Sequence, residues 1–396
     1  MEQSCRIVLA GTAGYGELYL QTLKEQNRLS WLEGVVDIFP ENSSFYPDIQ
    51  AAGIPVYESL EAFYAEKEAE LAVIATPIHL HAGQAVTAMR AGSHVLCEKP
   101  ASASWEEAEE MRRVRDETGK FLAVGFNWSF SDAVLEFKED IQAGKFGRPL
   151  HGSALVLWPR NEAYYGRSSW AGKKLGAGGA PIFDSVANNA TAHFMHNLFY
   201  VLGEKKNESA KINTLEMEVY RANPIETFDT CALRAVTDED VDLTFFASHA
   251  VEKEVNPSFY MEFEEAVVSY EWGSPMKALW HSGAEKSYND PESEHMHKLN
   301  VCIDAVLGHS QDIRCGLEAS YSHLLTIESV HQAFPESYTF AEEEKQVDPS
   351  LGLTYVPGLA EVLEACYADR KLPGETTASW ARGKKMMSIN HARYPY

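Results

Sequence analysis

The chain has 396 residues, 45% of them hydrophobic, and carries 34 lysines and arginines against 58 aspartates and glutamates, a formal net charge of −24. That length and apolar content are enough for two cores, and the negative charge argues against a nucleic-acid or anionic-membrane binder. No apolar run reaches membrane length, Met1-Glu2-Gln3 does not open a signal peptide, and six cysteines without paired spacing suit a reduced, cytoplasmic compartment.

Arg6-Ile7-Val8-Leu9-Ala10 reads as a short apolar strand, followed by Gly11-Thr12-Ala13-Gly14-Tyr15-Gly16 and a helical pattern with Leu18 and Leu23. Strand, glycine-rich turn and helix make the first unit of a dinucleotide fold, in which backbone N–H groups approach a pyrophosphate. Against G-x-G-x-x-G, with Gly11 first and Gly16 third, the middle position is Ala13. Either its methyl group pushes the ligand away or Gly14 takes over that role. A second strand over 34–36 ends at Asp37, placed to bond the ribose hydroxyls of NAD and to repel the 2′-phosphate of NADP. The alternative for Asp37 is a turn residue before Pro40.

The alternation continues. Leu60, Phe63 and Tyr64 mark a helix face; 71–75 is a strand broken by Thr76-Pro77; 79–91 is a helix with Ala82, Val86 and Met89 on one side. The strand 94–97 delivers Glu98-Lys99-Pro100 to its C-terminal end, where ligands bind in open parallel sheets. Ser104-Trp105-Glu106-Glu107 has the form of a capping box, and 121–125 is the next strand. Alternating strands and helices imply right-handed crossovers and a parallel Rossmann sheet over 1–128.

Beyond that point the rhythm changes. A helix over 131–143 leads to strand-like runs at 150–158, 215–221, 230–236, 241–248, 258–263 and 266–272, joined by polar turns, which predict a largely antiparallel open sheet. Helices are expected over 184–202 and 317–334. The second domain, 129–396, is therefore α+β, with an irregular tail from about 346 that holds one helix, 359–367.

Between the strand at Val156 and the helix at 184 lies an unusual loop, with Trp158-Pro159-Arg160, Tyr164-Tyr165, Arg167, Trp170 and Lys173-Lys174. Aromatic faces beside cationic donors suit a polyhydroxylated or carboxylated ligand, with Arg160, Tyr165 and Trp170 as the candidates. An oligomer contact uses the same residue types. His295-Met296-His297 with Glu292 and Glu294 offers metal-ligand types, but the spacing places no set, and no metal is assigned.

Thr76-Pro77, His81, Ala91-Gly92, the run His94-Val95-Leu96-Cys97-Glu98-Lys99-Pro100 and Gly125-Phe126-Asn127 together resemble the glucose-fructose oxidoreductase/inositol dehydrogenase/rhizopine catabolism (Gfo/Idh/MocA) family. The resemblance is strong over the first 150 residues, looser through the helix at Leu317, and absent from the last fifty. It implies a Rossmann domain, an α+β substrate domain, a nicotinamide cofactor, and reversible oxidation of a hydroxyl on a sugar, polyol or related molecule. It assigns cofactor contacts to residues 11–16 (Gly11, Thr12, Ala13, Gly14, Tyr15, Gly16), Asp37, Thr76, Pro77, His81, Glu98, Lys99 and Asn127. It makes Lys99 the acid/base group on the reacting oxygen, before a cis bond to Pro100. It also implies a homodimer or homotetramer built through the C-terminal sheet.

One departure stands out. The family's Asp-x-x-x-His pair is matched by Asp184, but Asn188 stands in the histidine's place. Asparagine can hydrogen-bond a hydroxyl and cannot accept its proton. On a regular helix Asp184 and Asn188 share a face, so both are expected to touch substrate with Lys99, while His193 lies about half a rotation away as a packing residue. Proton transfer then falls to Lys99, assisted by Asp184. Three functions compete: an NAD-dependent sugar or polyol dehydrogenase, a glycosidase using transient oxidation, and a non-catalytic sensor that Asn188 keeps open.

Overall fold

The computed structural model describes residues 4–396, so the expectation for Met1-Glu2-Gln3 lies outside the described residues. The chain divides into two compact units, Met1–Ser131 with Glu294–Ser320, and Asp132–Ser293 with Tyr321–Tyr396.

The first unit alternates as its sequence predicts, with α2 and β3 added to the elements expected: β1 (Ile7–Ala10), α1 (Tyr15–Glu25), β2 (Leu32–Val36), α2 (Tyr46–Ala51), β3 (Val56–Tyr57), α3 (Leu60–Glu66), β4 (Leu71–Ile74), α4 (Ile78–Arg90), β5 (His94–Cys97), α5 (Trp105–Thr118) and β6 (Leu122–Val124). The six strands form a parallel sheet in the order β3-β2-β1-β4-β5-β6. β1 and β4 are buried at every residue, because crossover helices cover both faces of such a sheet. Half of the expected capping box forms. Ser104 accepts from the Glu107 N–H, but the Glu107 carboxylate bonds the Ser102 hydroxyl instead of reaching back to Ser104.

The second unit contains α6 (Asp132–Gln142), β7 (Pro149–Leu157), α7 (Glu162–Tyr165), α8 (Ala192–Val201), β8 (Ile212–Arg221), β9 (Thr230–Thr237), β10 (Asp242–Ser248), β11 (Val255–Phe263), β12 (Ala266–Glu271), β13 (Lys277–Trp280) and β14 (Glu285–Ser287). The chain then returns to the first unit with α9 (His297–Val306), a segment that sequence reading assigned to the second domain. α10 (Leu317–Ala333), β15 (Tyr338–Thr339), β16 (Gln346–Asp348), β17 (Leu353–Tyr355), α11 (Leu359–Asp369) and β18 (Lys385–Ser388) follow. The large sheet runs β14-β13-β12-β11-β7-β10-β9-β8-β15, with β18 also on β8. It is antiparallel except where β7 meets β10 and β8 meets β15.

Two expectations change. Residues 186–191 are turns, so the helix read over 184–202 exists only as α8. The tail is also more ordered than its sequence suggested. Leu359, Ala360, Leu363 and Cys366 of α11, with Phe340 and Trp380, bury one face of the sheet at Leu155, Leu157, Tyr220, Ala232 and Phe246. One face of the sheet through which an oligomer contact is expected is thus covered across β7–β10 by the chain's own tail. Leu363, fully buried in this cluster, generates a prediction: Leu363→Ala should cost the second unit about 2–5 kcal/mol. Met386→Ala, at a site 68% exposed, should cost almost nothing. Urea unfolding of the two variants checks the contrast.

Candidate functional site

The nucleotide end of the first unit is built by close backbone approach. Gly11 has φ +85°, and a Cβ there would lie 2.7 Å from the Ala75 carbonyl oxygen; a Cβ on Gly16 would lie 2.1 Å from the Gly11 oxygen. Both positions exclude side chains. Gly14 has φ +59° with open space around it and sits at the N-cap of α1. The open N-terminal position therefore falls to Gly14, while Ala13 is half-buried. At the end of β2, Asp37 is held against this turn. Its Oδ2 accepts from Thr12 N at 2.8 Å and Thr12 Oγ1 at 2.7 Å, and its Oδ1 from Phe39 N at 2.9 Å. Ile38 and Phe39 beside it are 66% and 56% exposed.

Lys99 sits in a braced turn at the C-terminal end of β5, half-buried, and its bond to Pro100 is cis. Behind it the buried Glu98 carboxylate forms an ion pair with Lys298 of α9 and accepts from Tyr19 Oη at 2.6 Å. Lys298 is fully buried and also donates to the Gly125 carbonyl at 3.2 Å. It lies 4.5 Å from the Tyr15 ring centre. Burial alone would raise the Glu98 carboxyl, but Lys298 and Tyr19 outweigh it and hold it below its ordinary value. A Cβ on Gly125 would come within 2.9 Å of Glu98 Oε1, so this motif glycine makes room for the carboxylate. On the other flank, His81 places Nδ1 2.8 Å from the Pro100 oxygen and Nε2 2.7 Å from the Thr76 oxygen. Only a doubly protonated ring would donate to both, yet burial draws its pKa down. Thr76 Oγ1 donates to Gln84 at 2.6 Å, and Pro77 caps α4. Asn127 Nδ2 donates to Tyr15 Oη at 3.0 Å, and Tyr15 Oη lies 2.9 Å from His295 Nε2.

Lys298, Tyr19 and His295 were missed from sequence. Lys298 carried one signal, a lysine flanked in the same short helix by Leu299, Val301, Cys302 and Ile303, all buried. His295, read only as a metal-ligand type, is a partner of Tyr15 and Asn127. Among the described residues no group of three His, Cys, Asp or Glu could hold a metal ion.

In the second unit Asp184 is a loop anchor. Its Oδ2 accepts from Gly172 N at 2.7 Å and Arg167 Nη2 at 3.3 Å, and its Oδ1 from Asn189 Nδ2 at 2.6 Å. Phe183 just before it has φ +46° and stacks on His331 at 4.0 Å. Asn188 does not share a helix face with Asp184, because no helix spans them. It is buried, and its amide donates to the Ile182 and Phe183 carbonyls at 3.3 and 3.2 Å, tying the turn that presents Asp184. His193 is half-buried in the first turn of α8, and His196 is buried against Tyr200. The aromatic loop is ordered by its cations. Arg167 stands 3.8 Å from the Tyr164 ring and 5.0 Å from Trp170, and Arg160 stands 5.0 Å from Tyr164 and 5.5 Å from Trp158. Tyr165 is half-buried beside Tyr164, their rings 5.4 Å apart.

A six-stranded parallel sheet in this order, with a glycine turn after β1 and a carboxylate after β2, defines a dinucleotide-binding Rossmann protein; a mixed α+β unit follows it in the chain. Residues 5–126 match the family model GFO_IDH_MocA, described as an oxidoreductase family with an NAD-binding Rossmann fold. Within that part, the chain is 32% identical over 141 residues to a 1-carboxy-3-chloro-3,4-dihydroxycyclohexa-1,5-diene dehydrogenase of Comamonas testosteroni, covering 35% of each chain. It is 32% identical over 143 residues to levoglucosan dehydrogenase of Pseudarthrobacter phenanthrenivorans, covering 36% of this chain and 35% of that one. The chain thus spans about a third of the length of these curated relatives. Among solved structures, levoglucosan dehydrogenase in complex with NADH superposes with a TM-score of 0.69 at 17% identity, covering 85% of this chain and 98% of the other. The WlbA dehydrogenase of Bordetella pertussis, in complex with NADH and UDP-GlcNAcA, gives 0.67 at 19% identity over 83% and 96%.

Two predictions follow from these interactions. Lys298→Met leaves the Glu98 carboxylate buried and unpaired, so it should cost about 3–5 kcal/mol, and adding Glu98→Gln should recover part of that loss; chemical denaturation of the three variants measures it. The second concerns pH. Burial pulls His249 and His331 from the ordinary 6.5 to about 3, helped by Arg160 near His249 and Lys174 near His331, and pulls His94 to about 4. Folded, these rings stay neutral; unfolded, they protonate near 6.5. Their contribution is complete above that value and is lost as pH falls toward the folded values. Tm should therefore drop between about pH 7.5 and about pH 5, and His249→Gln should flatten the slope.

Proposed function

We propose that the protein is an NAD(H)-dependent oxidoreductase that interconverts a hydroxyl and a carbonyl on a sugar, polyol or related small molecule. The observation that carries this reading is Lys99, presented at the C-terminal end of β5 by a turn braced on both sides, in the unit that carries the nucleotide turn. The residues present fit a dinucleotide. Gly11, Thr12, Ala13, Gly14, Tyr15 and Gly16 surround the pyrophosphate position at the N-terminus of α1. Asp37 keeps its carboxylate at the end of β2 for ribose hydroxyls, and the exposed Ile38 and Phe39 offer apolar surface for an adenine. Thr76, Pro77, His81, Glu98 and Asn127 line or brace the strand ends that follow. When bound, NAD supplies the hydride acceptor and NADH the donor.

The remaining chemistry belongs to the chain. Lys99 takes the hydroxyl proton during oxidation and returns it during reduction, and its charge stabilises the alkoxide-like oxygen. Asp184 and Asn188 contribute by shape: Asp184 holds the loop of Arg167 and Gly172, and Asn188 holds the turn before Asp184. Arg160, Tyr165 and Trp170 contact substrate. The named relatives are dehydrogenases, which favours net redox turnover over glycoside cleavage. Six free cysteines, all buried, agree with a reducing cytoplasmic setting. Association of copies through the sheet has the β11–β14 region left to it, where Leu279 is 50% exposed.

Lys99→Ala should reduce turnover by at least ~100-fold, the scale of one acid/base group, while NAD affinity survives. Near-normal turnover in that variant moves the proton transfer elsewhere, and a wild-type protein that binds NAD and polyols without forming NADH is a sensor. Asp37→Ala should narrow the preference for NAD over NADP, read from the two dissociation constants; tighter NADP binding by the wild-type protein contradicts the assignment of Asp37.

A further inference from the structure

The loop after β7 holds more donors than it satisfies. Arg160 Nε, Tyr165 Oη and Ser168 Oγ are each buried without a hydrogen-bond partner. Each such atom forgoes the hydrogen bond that water would give it in the unfolded chain, and all three fall within residues 160–168. The loop's second guanidinium, Arg167, is neutralised by Asp184 at 3.3 Å. Arg160 has no acidic partner among the described residues, although the chain carries 58 acidic side chains against 34 basic ones. Its Nη1 donates to the Pro159 carbonyl at 3.3 Å.

Arg160 is also held in place. Its guanidinium lies near the Trp158 and Tyr164 rings, 5.5 and 5.0 Å from their centres, and its backbone N–H donates to the His249 carbonyl at 3.1 Å. His249 Nδ1 in turn donates to the Trp158 carbonyl at 2.8 Å. The acidic groups nearby are spent. Asp184 serves Arg167, and Asp229 accepts from Ala222 N, Asn223 N and Asn223 Nδ2 at 2.8–3.1 Å. His249 is neutral, and burial with the neighbouring Asp229 keeps Tyr165 a phenol. What remains is one cation and two hydroxyls with no anion among them.

We propose that this loop binds a carboxylate on the substrate, with Arg160 as its ion-pair partner and the Tyr165 and Ser168 hydroxyls as neutral donors. The substrate class is then an acidic sugar or acidic polyol, such as a uronic or aldonic acid. A guanidinium meets a carboxylate with two parallel N–H···O bonds, which a lysine cannot reproduce. The inference rests on the reading of this loop as the substrate's, and its test separates the two.

The full chain with NAD is screened by thermal shift and by NADH formation. The probes are D-glucuronate, D-galacturonate, D-gluconate and L-tartrate, against D-glucose, D-galactose, D-sorbitol and erythritol. At least one acid should raise Tm above its neutral counterpart. Arg160→Gln should weaken that acid by roughly 10- to 100-fold, the range of a hydrogen bond to a charged group, with NAD affinity unchanged, and Arg160→Lys should recover only part. No preference for any acid, or an acid whose affinity survives Arg160→Gln, overturns the carboxylate site and leaves the oxidoreductase reading standing. Failure of the wild-type protein to bind NAD removes that reading instead. If Arg160→Gln does not fold, the acid preference of the wild-type protein and the Arg160→Lys affinity decide the matter.

Discussion

The buried pair of Glu98 and Lys298 is the constraint on which the rest of the first unit depends. Two charges with almost no exposure are expensive, and burying them is justified energetically only when geometry and further hydrogen bonds compensate. Here they do: Tyr19 donates to Glu98, and Lys298 donates to the Gly125 carbonyl with the Tyr15 ring beside it. Removing either partner strands the other, so the residues form one unit. That unit joins the end of β5, the helix after the nucleotide turn, the end of β6 and α9. The neighbour of Glu98 in the chain is Lys99. A long, flexible side chain can work on a reacting oxygen only if its backbone origin is fixed, and catalysis loses steeply when such a group is misplaced. The ion pair on one side and His81 on the other fix that origin.

The same logic explains Asp184 and Asn188. At sequence level they read as a catalytic pair with its base replaced. Structurally they are parts of a turn: one carboxylate receives a guanidinium and two N–H groups, and one amide gathers two carbonyls. A histidine at 188 could not donate to both carbonyls from a single nitrogen. Asn188 is therefore accounted for by the turn it ties, without any part in proton transfer.

Legibility divides along the range of the determining interaction. Gly16 was readable because the Gly11 carbonyl in the same turn excludes a Cβ, Gly11 because it opens that glycine-rich turn although the atoms excluding its own Cβ belong to distant Ala75 and Thr76, and Asp37 because strand lengths fix where β2 ends. Lys99 was readable because a four-residue apolar strand points at it. The helix over 184–202 was misread because Asp184, Ser185, Asn188 and Asn189 bond the backbone or one another locally, competing with helix formation, and Phe183 leads in from the left-handed region. Lys298 was unreadable as a functional residue because its partner lies 200 positions away. The tail hid its role for a related reason. Leu359, Leu363 and Cys366 show a helix face, but nothing local states that the face covers β7–β10.

The charge of the whole chain gives the unpartnered Arg160 its weight. A protein at −24 repels anions at long range, yet the proposed cofactor carries a pyrophosphate and the proposed substrate a carboxylate. At physiological ionic strength the far field is screened beyond about 8 Å, so recognition is left to groups in direct contact. For the pyrophosphate those groups are N–H donors at the start of α1 and need no side-chain charge. The one helix start among the loop residues, that of the single-turn α7, is capped by the Asn161 side chain with Glu162 in its first turn, and Arg167 is already committed to Asp184. Arg160 is the cation that the loop leaves uncompensated, and in so acidic a chain an arginine held near two aromatic rings without a carboxylate partner is most simply explained by a partner that arrives from outside.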